Sequence, residues 1–199
     1  MEENKKNEII FELKEITSKQ YKSMEAINLL KEGIFAFEND KYYSTLAIYS
    51  IFLEKYLRDK LIEKEKGGID LDFDIYDKIE KQIEDELNRK GDKKNGLTFY
   101  DISEKLFGSE SEENKELKRI YKDIRIPLLH GLFSRLAWNL GLNKDKNGTI
   151  FNNGEYRDKK MNESSSLLRG NHLNNILKDE AELMSKFIIE LINYFEENL

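Results

Sequence analysis

Apolar residues recur at helical spacing through most of this chain. Between Asn7 and Phe37 they fall at Ile9, Ile10, Leu13, Ile16, Met24, Ile27, Leu30, Ile34 and Phe37, the three-to-four-residue period of an amphipathic helix. Polar residues at Thr17–Lys19 predict a break within it. Asn39-Asp40 reads as a turn, and a second long helix is predicted from about Lys41 to Lys64, with Tyr43, Leu46, Ala47, Ile51, Leu53, Tyr56, Leu57 and Leu61 as its apolar stripe. Gly67-Gly68 ends it.

Beyond that point the polar punctuation becomes denser. The run DLDFDIYD (Asp70–Asp77) begins like a calcium-binding loop, but its sixth position is Ile75 and its twelfth is Lys81, where such a loop needs Gly and Glu. The better reading is a helix capped by Asp74 that carries Ile75, Ile79, Ile83 and Leu87. A polar loop spans Asn88–Gly96. Thr98 then caps a short helix through Phe107, and Ser109 or Ser111 caps another that reaches Arg125. Helix resumes to about Asn139. Residues 141–170 carry the turn signals Asn147-Gly148 and Asn152-Asn153-Gly154 around TIF and EYR, which predict a small loop or β-hairpin insertion. A last helix runs from Asn171 to Phe195, with Leu173, Leu177, Met184, Phe187, Ile188, Leu191 and Phe195 on one stripe. The expected fold is a single all-α domain over residues 1–199, a bundle of four to five main helices.

Composition sharpens this picture. Charged residues make up 36% of the 199 and the mean hydropathy is −0.71, values that alone suggest disorder. The 11 phenylalanines and 10 tyrosines argue for a packed core, and a single proline leaves long windows open to helix. A net charge of −6 excludes non-specific coating of duplex nucleic acid, which phosphate neutralisation drives. Any nucleic-acid role must use a local cleft. The absence of cysteine excludes disulfides, thiol nucleophiles and thiolate zinc sites, and two histidines are little material for a histidine metal site. No metal or cofactor is expected. The amino-terminal MEENKKNEII lacks the apolar stretch of a secretory signal, and the apolar run Ile126–Leu142 is too short and polar for a membrane span. The expected location is the cytoplasm.

One stretch stands apart from the helical pattern: IRIPLLHGLFSRL, Ile124–Leu136. It places Arg125, the only proline (Pro127) and His130 together. On an unbroken helix, residues five apart are turned by about 140°, so Arg125 and His130 would face different ways. Proline disfavours helical backbone at the residue before it and suits a first turn. The expectation is therefore a break, with Ile126 extended, Pro127 opening a new helix and His130 one turn inside it, converging on Arg125. There the helix dipole favours a neutral imidazole. A neutral imidazole can act as general base, and a guanidinium can hold a phosphate oxygen and stabilise developing charge. Together they suit metal-free RNA cleavage, in which the ribose 2′-hydroxyl attacks the adjacent phosphate to leave a 2′,3′-cyclic phosphate and a 5′-hydroxyl.

The run RIPLLHG resembles the R-x4–6-H motif of HEPN domains. The earlier KEGIFAFENDKYYSTLAIYSIFLEKYLRDKL resembles the helical hairpin of that family. The resemblance covers roughly Tyr21–Asn139 and the closing helix. It implies a helical bundle, commonly dimeric, and for many members a metal-independent RNase of toxin–antitoxin, abortive-infection or CRISPR systems. Carried over by position, Arg125 is the phosphate-binding arginine and His130 the base or acid, with the motifs of two subunits facing each other across a homodimer interface. Lys122 and Glu54 are the further candidates for the RNA-binding site. Glu54 is placed as a supporting carboxylate, with a solvated face or an ion pair as the alternative. The implied partners are RNA, a second copy, and a cognate antitoxin or CRISPR component. Two positions depart from the pattern. Ile126 stands where active members often carry a polar residue, and Leu132 stands where some toxins carry a tyrosine that is nucleotidylated. A catalytically inactive HEPN-like scaffold that binds a nucleotide or protein partner is the competing reading. Trp138 reads as core and His172 as surface.

Overall fold

A computed structural model of the chain describes residues 2–18, 24–66, 98–131 and 171–198, with positions 78–79, 81–82, 85, 135–136 and 139–140 between them. The described residues form helices and no strand, so the fold is all-α. Among them, no helix is long and apolar enough to cross a membrane. The Asp74 cap, the hairpin expected near residues 141–170, Leu132, Trp138 and the His172 side chain lie outside the described residues.

Helix α1 (Glu2–Ser18) buries Ile9, Ile10, Leu13 and Ile16 along one face. It ends within the predicted break, where the hydroxyls of Thr17 and Ser18 donate back to the carbonyls of Lys14 and Glu15 at 2.9 and 2.7 Å. Helix α2 (Met24–Glu38) follows. The Asn39-Asp40 turn closes it: Asp40 takes a left-handed φ of 56°, Lys41 N–H donates to Ala36 at 2.9 Å, and Asn39 Nδ2 donates to Phe35 at 2.7 Å. Only two residues and Lys41 separate α2 from α3 (Tyr42–Lys66), so the two helices return antiparallel. Gly33 sets how closely they approach, because a Cβ there would lie 2.4 Å from the Tyr49 ring.

Helix α3 is the centre of the bundle, packed against α2, the short helix that starts at Phe99, the segment carrying Arg125 and the last helix. Its burial does not follow the single stripe expected from its sequence. Ile51 is exposed, while Tyr49 and Phe52 are buried beside Leu46, Leu53, Tyr56, Leu57 and Leu61. A helix with neighbours on several sides buries several faces, so no one stripe describes it.

Helix α4 (Phe99–Phe107) starts at the expected Thr98, in a reciprocal cap: Asp101 N–H donates to Thr98 Oγ1 and Thr98 N–H to the Asp101 carboxylate. It stops at Gly108, whose φ is 86°. Of the two serines proposed as the next cap, Ser111 serves, accepting from Asn114 N–H at 3.1 Å. Asn114 is itself buried, accepts from Ser103 Oγ at 2.7 Å and donates to the Ser109 carbonyl at 2.9 Å, which fixes the corner between α4 and α5 (Glu112–Arg119). The final helix, α7 (Asn171–Asn198), returns against α1 and α3, burying Leu177, Met184, Ile188, Leu191, Ile192 and Phe195.

Candidate functional site

The chain does not break at Pro127. Helix α5 runs directly into a π-helical segment, Ile120–Arg125, and then into α6, Ile126–Leu129. Arg125 (φ −61°, ψ −50°) and Ile126 (φ −59°, ψ −50°) are both in helical backbone, against the expectation of an extended Ile126. The π segment accounts for this. Its ladder is shifted by one residue, so that Ile126 N–H donates to Tyr121, just where a proline ring would otherwise meet an α-helical carbonyl. The Asn139 side chain donates to the Asp123 carbonyl within this segment, at 3.3 Å.

This geometry corrects the placing of His130. It lies at the carboxyl end of α6, not one turn inside a new helix: its N–H donates to Ile126 at 3.1 Å and Gly131 ends the run with φ 63°. The electrostatic argument from a helix amino terminus therefore does not apply to it. Its imidazole is exposed, beside an exposed Leu129, and no hydrogen bond or ion pair joins it to Arg125. Lys122 is likewise exposed.

Arg125 faces inward, as a continuous helix requires. Its Nη2 donates to Glu54 Oε2 of α3, and its guanidinium lies 5.2 Å from the centre of the Tyr121 ring. Tyr121 is held by Phe99, stacked at 5.3 Å, and by Tyr100, edge-on at 4.9 Å. Glu54 is shared: its Oε1 accepts from Arg58 Nη2 at 3.4 Å, near the outer limit of a hydrogen bond. Arg125 Nε is buried and, among the described residues, has no hydrogen-bond partner. The structure thus joins two sequence candidates, Arg125 and Glu54, while His130 and Lys122 point to solvent. Two residues at this site were not singled out from the sequence. Arg58 was legible as the residue one turn after Glu54, and Tyr121 as the residue four before Arg125.

A second ion-pair cluster lies earlier on the same helix. Arg119 donates to both oxygens of Glu116, from Nε at 2.8 Å and Nη2 at 2.6 Å, and across to Glu180 Oε1 of α7 at 2.5 Å. Burial opposes the charge on Arg119, but the hydrogen bonds and charges of Glu116 and Glu180 outweigh it and hold its pKa above the ordinary value. The cluster forms one wall of a cleft of about 720 Å³ whose apolar lining includes Leu140, Leu183 and Phe187. Among the described residues, no group of three or more His, Asp or Glu is placed to hold a metal ion.

No family model, curated protein or solved structure matches the chain. The functional reading therefore rests on the sequence motif and on this geometry.

Proposed function

We propose that this chain is a metal-independent endoribonuclease of HEPN type, acting as a homodimer in a prokaryotic defence or toxin–antitoxin setting. The observation that supports it is Arg125, a guanidinium with an unmet buried Nε, on the helix whose end carries the exposed imidazole of His130. In this reading Arg125 holds a non-bridging phosphate oxygen and stabilises the charge that builds as the 2′-hydroxyl attacks. His130 accepts the hydroxyl proton or protonates the 5′ leaving oxygen. A continuous helix turns the two side chains apart, so one catalytic pair combines Arg125 of one copy with His130 of the other. Lys122 adds positive charge to that cleft and offsets the acidic surface.

The test is incubation with mixed RNA in EDTA. The expected result is cleavage leaving 2′,3′-cyclic phosphate ends, lost by about a hundredfold or more in His130→Ala and in Arg125→Ala. Mixing these two variants restores activity when the pair spans two subunits, because one cleft of each heterodimer keeps both groups. Cleavage that survives His130→Ala sinks the mechanism, and failure of the mixture to recover sinks the shared cleft.

The Arg125–Glu54 pair also supports a second reading, a HEPN-like scaffold without catalysis. There Arg125 braces the π segment against α3, and the exposed end of α6 contacts a nucleotide or protein. Folded protein that binds RNA or a partner but never cleaves it favours this reading.

A further inference from the structure

We propose that the outer face of the α2–α3 hairpin is where a second copy of this chain docks, each Phe35 entering the groove of the other across a two-fold axis. This goes beyond the proposed activity, which calls for a second copy without locating it.

Two isoleucines of α3 mark the face. Ile51 is 42% exposed and Ile48 half-buried, although both are apolar and lie well inside a long helix. With Ser44 before them and Lys55 after, they recur at alternating spacings of four and three residues, the spacing of a seam that packs against one further helix. Helix α3 therefore carries two kinds of apolar surface, one filled by its own bundle and one left open. Beside the open one, α2 presents Phe35, which is 67% exposed. Phe35 forms the rim and Ala36, Ser44 and Ile48 the walls of an apolar groove of about 480 Å³. Exposed apolar surface bordered by charge marks a protein contact.

The charges on the border select the occupant. Lys31, Glu32 and Lys41 flank the groove, and among the described residues none of their side chains is in an ion pair or a hydrogen bond. Charges nearby on the same hairpin are paired: Glu38 with Lys14, Asp40 with Lys6, and Glu25 with Lys55. A partner of single sign would be repelled by one part of this border. A second copy would not, because a two-fold axis can set Glu32 of each copy against lysines of the other. The apolar parts match in the same way, since each copy brings both the projecting ring and the groove. The face also leads toward the candidate site: Glu54, three residues beyond Ile51, lies at its margin and meets Arg125.

Sedimentation equilibrium of the full chain reads the outcome. The expected mass at micromolar concentration is twice the 23.6 kDa of one chain. Phe35→Glu and Ile51→Glu should each weaken self-association about thirtyfold or more. Leu183→Glu, at a residue of α7 that is 51% exposed, should leave it unchanged. A charge exchange then tests the border. Glu32→Lys alone and Lys31→Glu/Lys41→Glu alone should each weaken the dimer, and an equimolar mixture of the two should restore it. A monomeric wild type overturns the proposal, whatever else binds the groove. So does a dimer that survives Phe35→Glu or Ile51→Glu, a dimer that Leu183→Glu breaks instead, or a charge mixture that stays monomeric. Circular dichroism checks folding; if either apolar variant unfolds, the charge mixture, which keeps every apolar residue, decides. RNA cleavage separates this proposal from the nuclease reading. Cleavage retained by a monomeric Phe35→Glu supports the interface and removes only the shared cleft, and a dimer of this kind that never cleaves RNA removes only the nuclease.

Discussion

Arg119 and Arg125 sit six residues apart on one continuous helix, and each reaches across the bundle to a glutamate of another helix. Their surroundings differ. Arg119 meets Glu116 through two nitrogens and also meets Glu180, which is 2% exposed. Arg125 meets Glu54 through one nitrogen, rests on Tyr121 and keeps a buried Nε without a partner. An arginine whose fork is filled by carboxylate is a strut, whereas one with an open donor has somewhere to put an anion. The same residue type on the same helix therefore divides into structure and candidate chemistry according to how completely its donors are met.

Four measurements break or sharpen that contrast. The largest effect is expected from Arg119→Ala, which leaves the carboxylate of Glu180 buried without its partner. It should cost about 3 kcal/mol in urea denaturation. The paired replacement Arg119→Met/Glu180→Leu should recover most of the loss, because it removes both charges from the interior. Arg125→Ala should cost less, about 1 kcal/mol, since its pair with Glu54 is partly exposed and one donor is already unmet. Equal losses at the two arginines would erase the distinction. Asn139→Ala tests what supports the π segment that aims Arg125. Losing its bond to Asp123 should cost about 1 kcal/mol in urea denaturation, and no loss would show that the bond does not support the segment.

The smallest effect calibrates the scale at an exposed ion pair. Lys6 Nζ donates to Asp40 Oδ1 at 2.6 Å, and this bond, followed by one from Tyr42, holds the Asp40 carboxyl below its ordinary value of 3.8. Because the folded-state pKa is the lower one, the stabilisation is present above pH 3.8 and is lost as pH falls through the folded value. Asp40→Asn, which tolerates the left-handed backbone, should therefore cost roughly 0.5 kcal/mol or less at pH 7 and less again at pH 2, by thermal denaturation at the two pH values. A larger cost would mean that exposed and interior pairs cannot be ranked by burial here.

The elements read best from sequence are those whose cause is local. Thr98 and Ser111 cap their helices, the chain turns at Asn39-Asp40, and α1 ends beside Thr17 because each signal acts through hydrogen bonds spanning a few residues. The stripe assigned to α3 was less accurate: Ile51 is exposed, and the buried Tyr49 and Phe52 were not on it. Periodicity reports one preferred face, and α3 has neighbours on several. Proline misled for a related reason. Its local preference argues for a break before residue 127, but the π turn that precedes it lets the helix run on. At the candidate site, the motif drew attention to Arg125 and His130, and the hairpin resemblance to the region of Glu54. It did not show that Glu54 meets Arg125, that Arg58 shares the carboxylate, or that His130 ends its helix in solvent.

By itself the sequence determined the all-helical character, most helix ends among the described residues and the presence of an arginine and a histidine on one short stretch. These follow from propensity, capping and spacing, which operate within a turn or two. Only the tertiary structure decided that the helix runs unbroken through Pro127, that Arg119 closes on Glu180 and that Arg125 meets Glu54. Those contacts join residues 61 and 71 apart in the chain, and no local rule reaches that far. Packing chose which donors were filled and which one was left open.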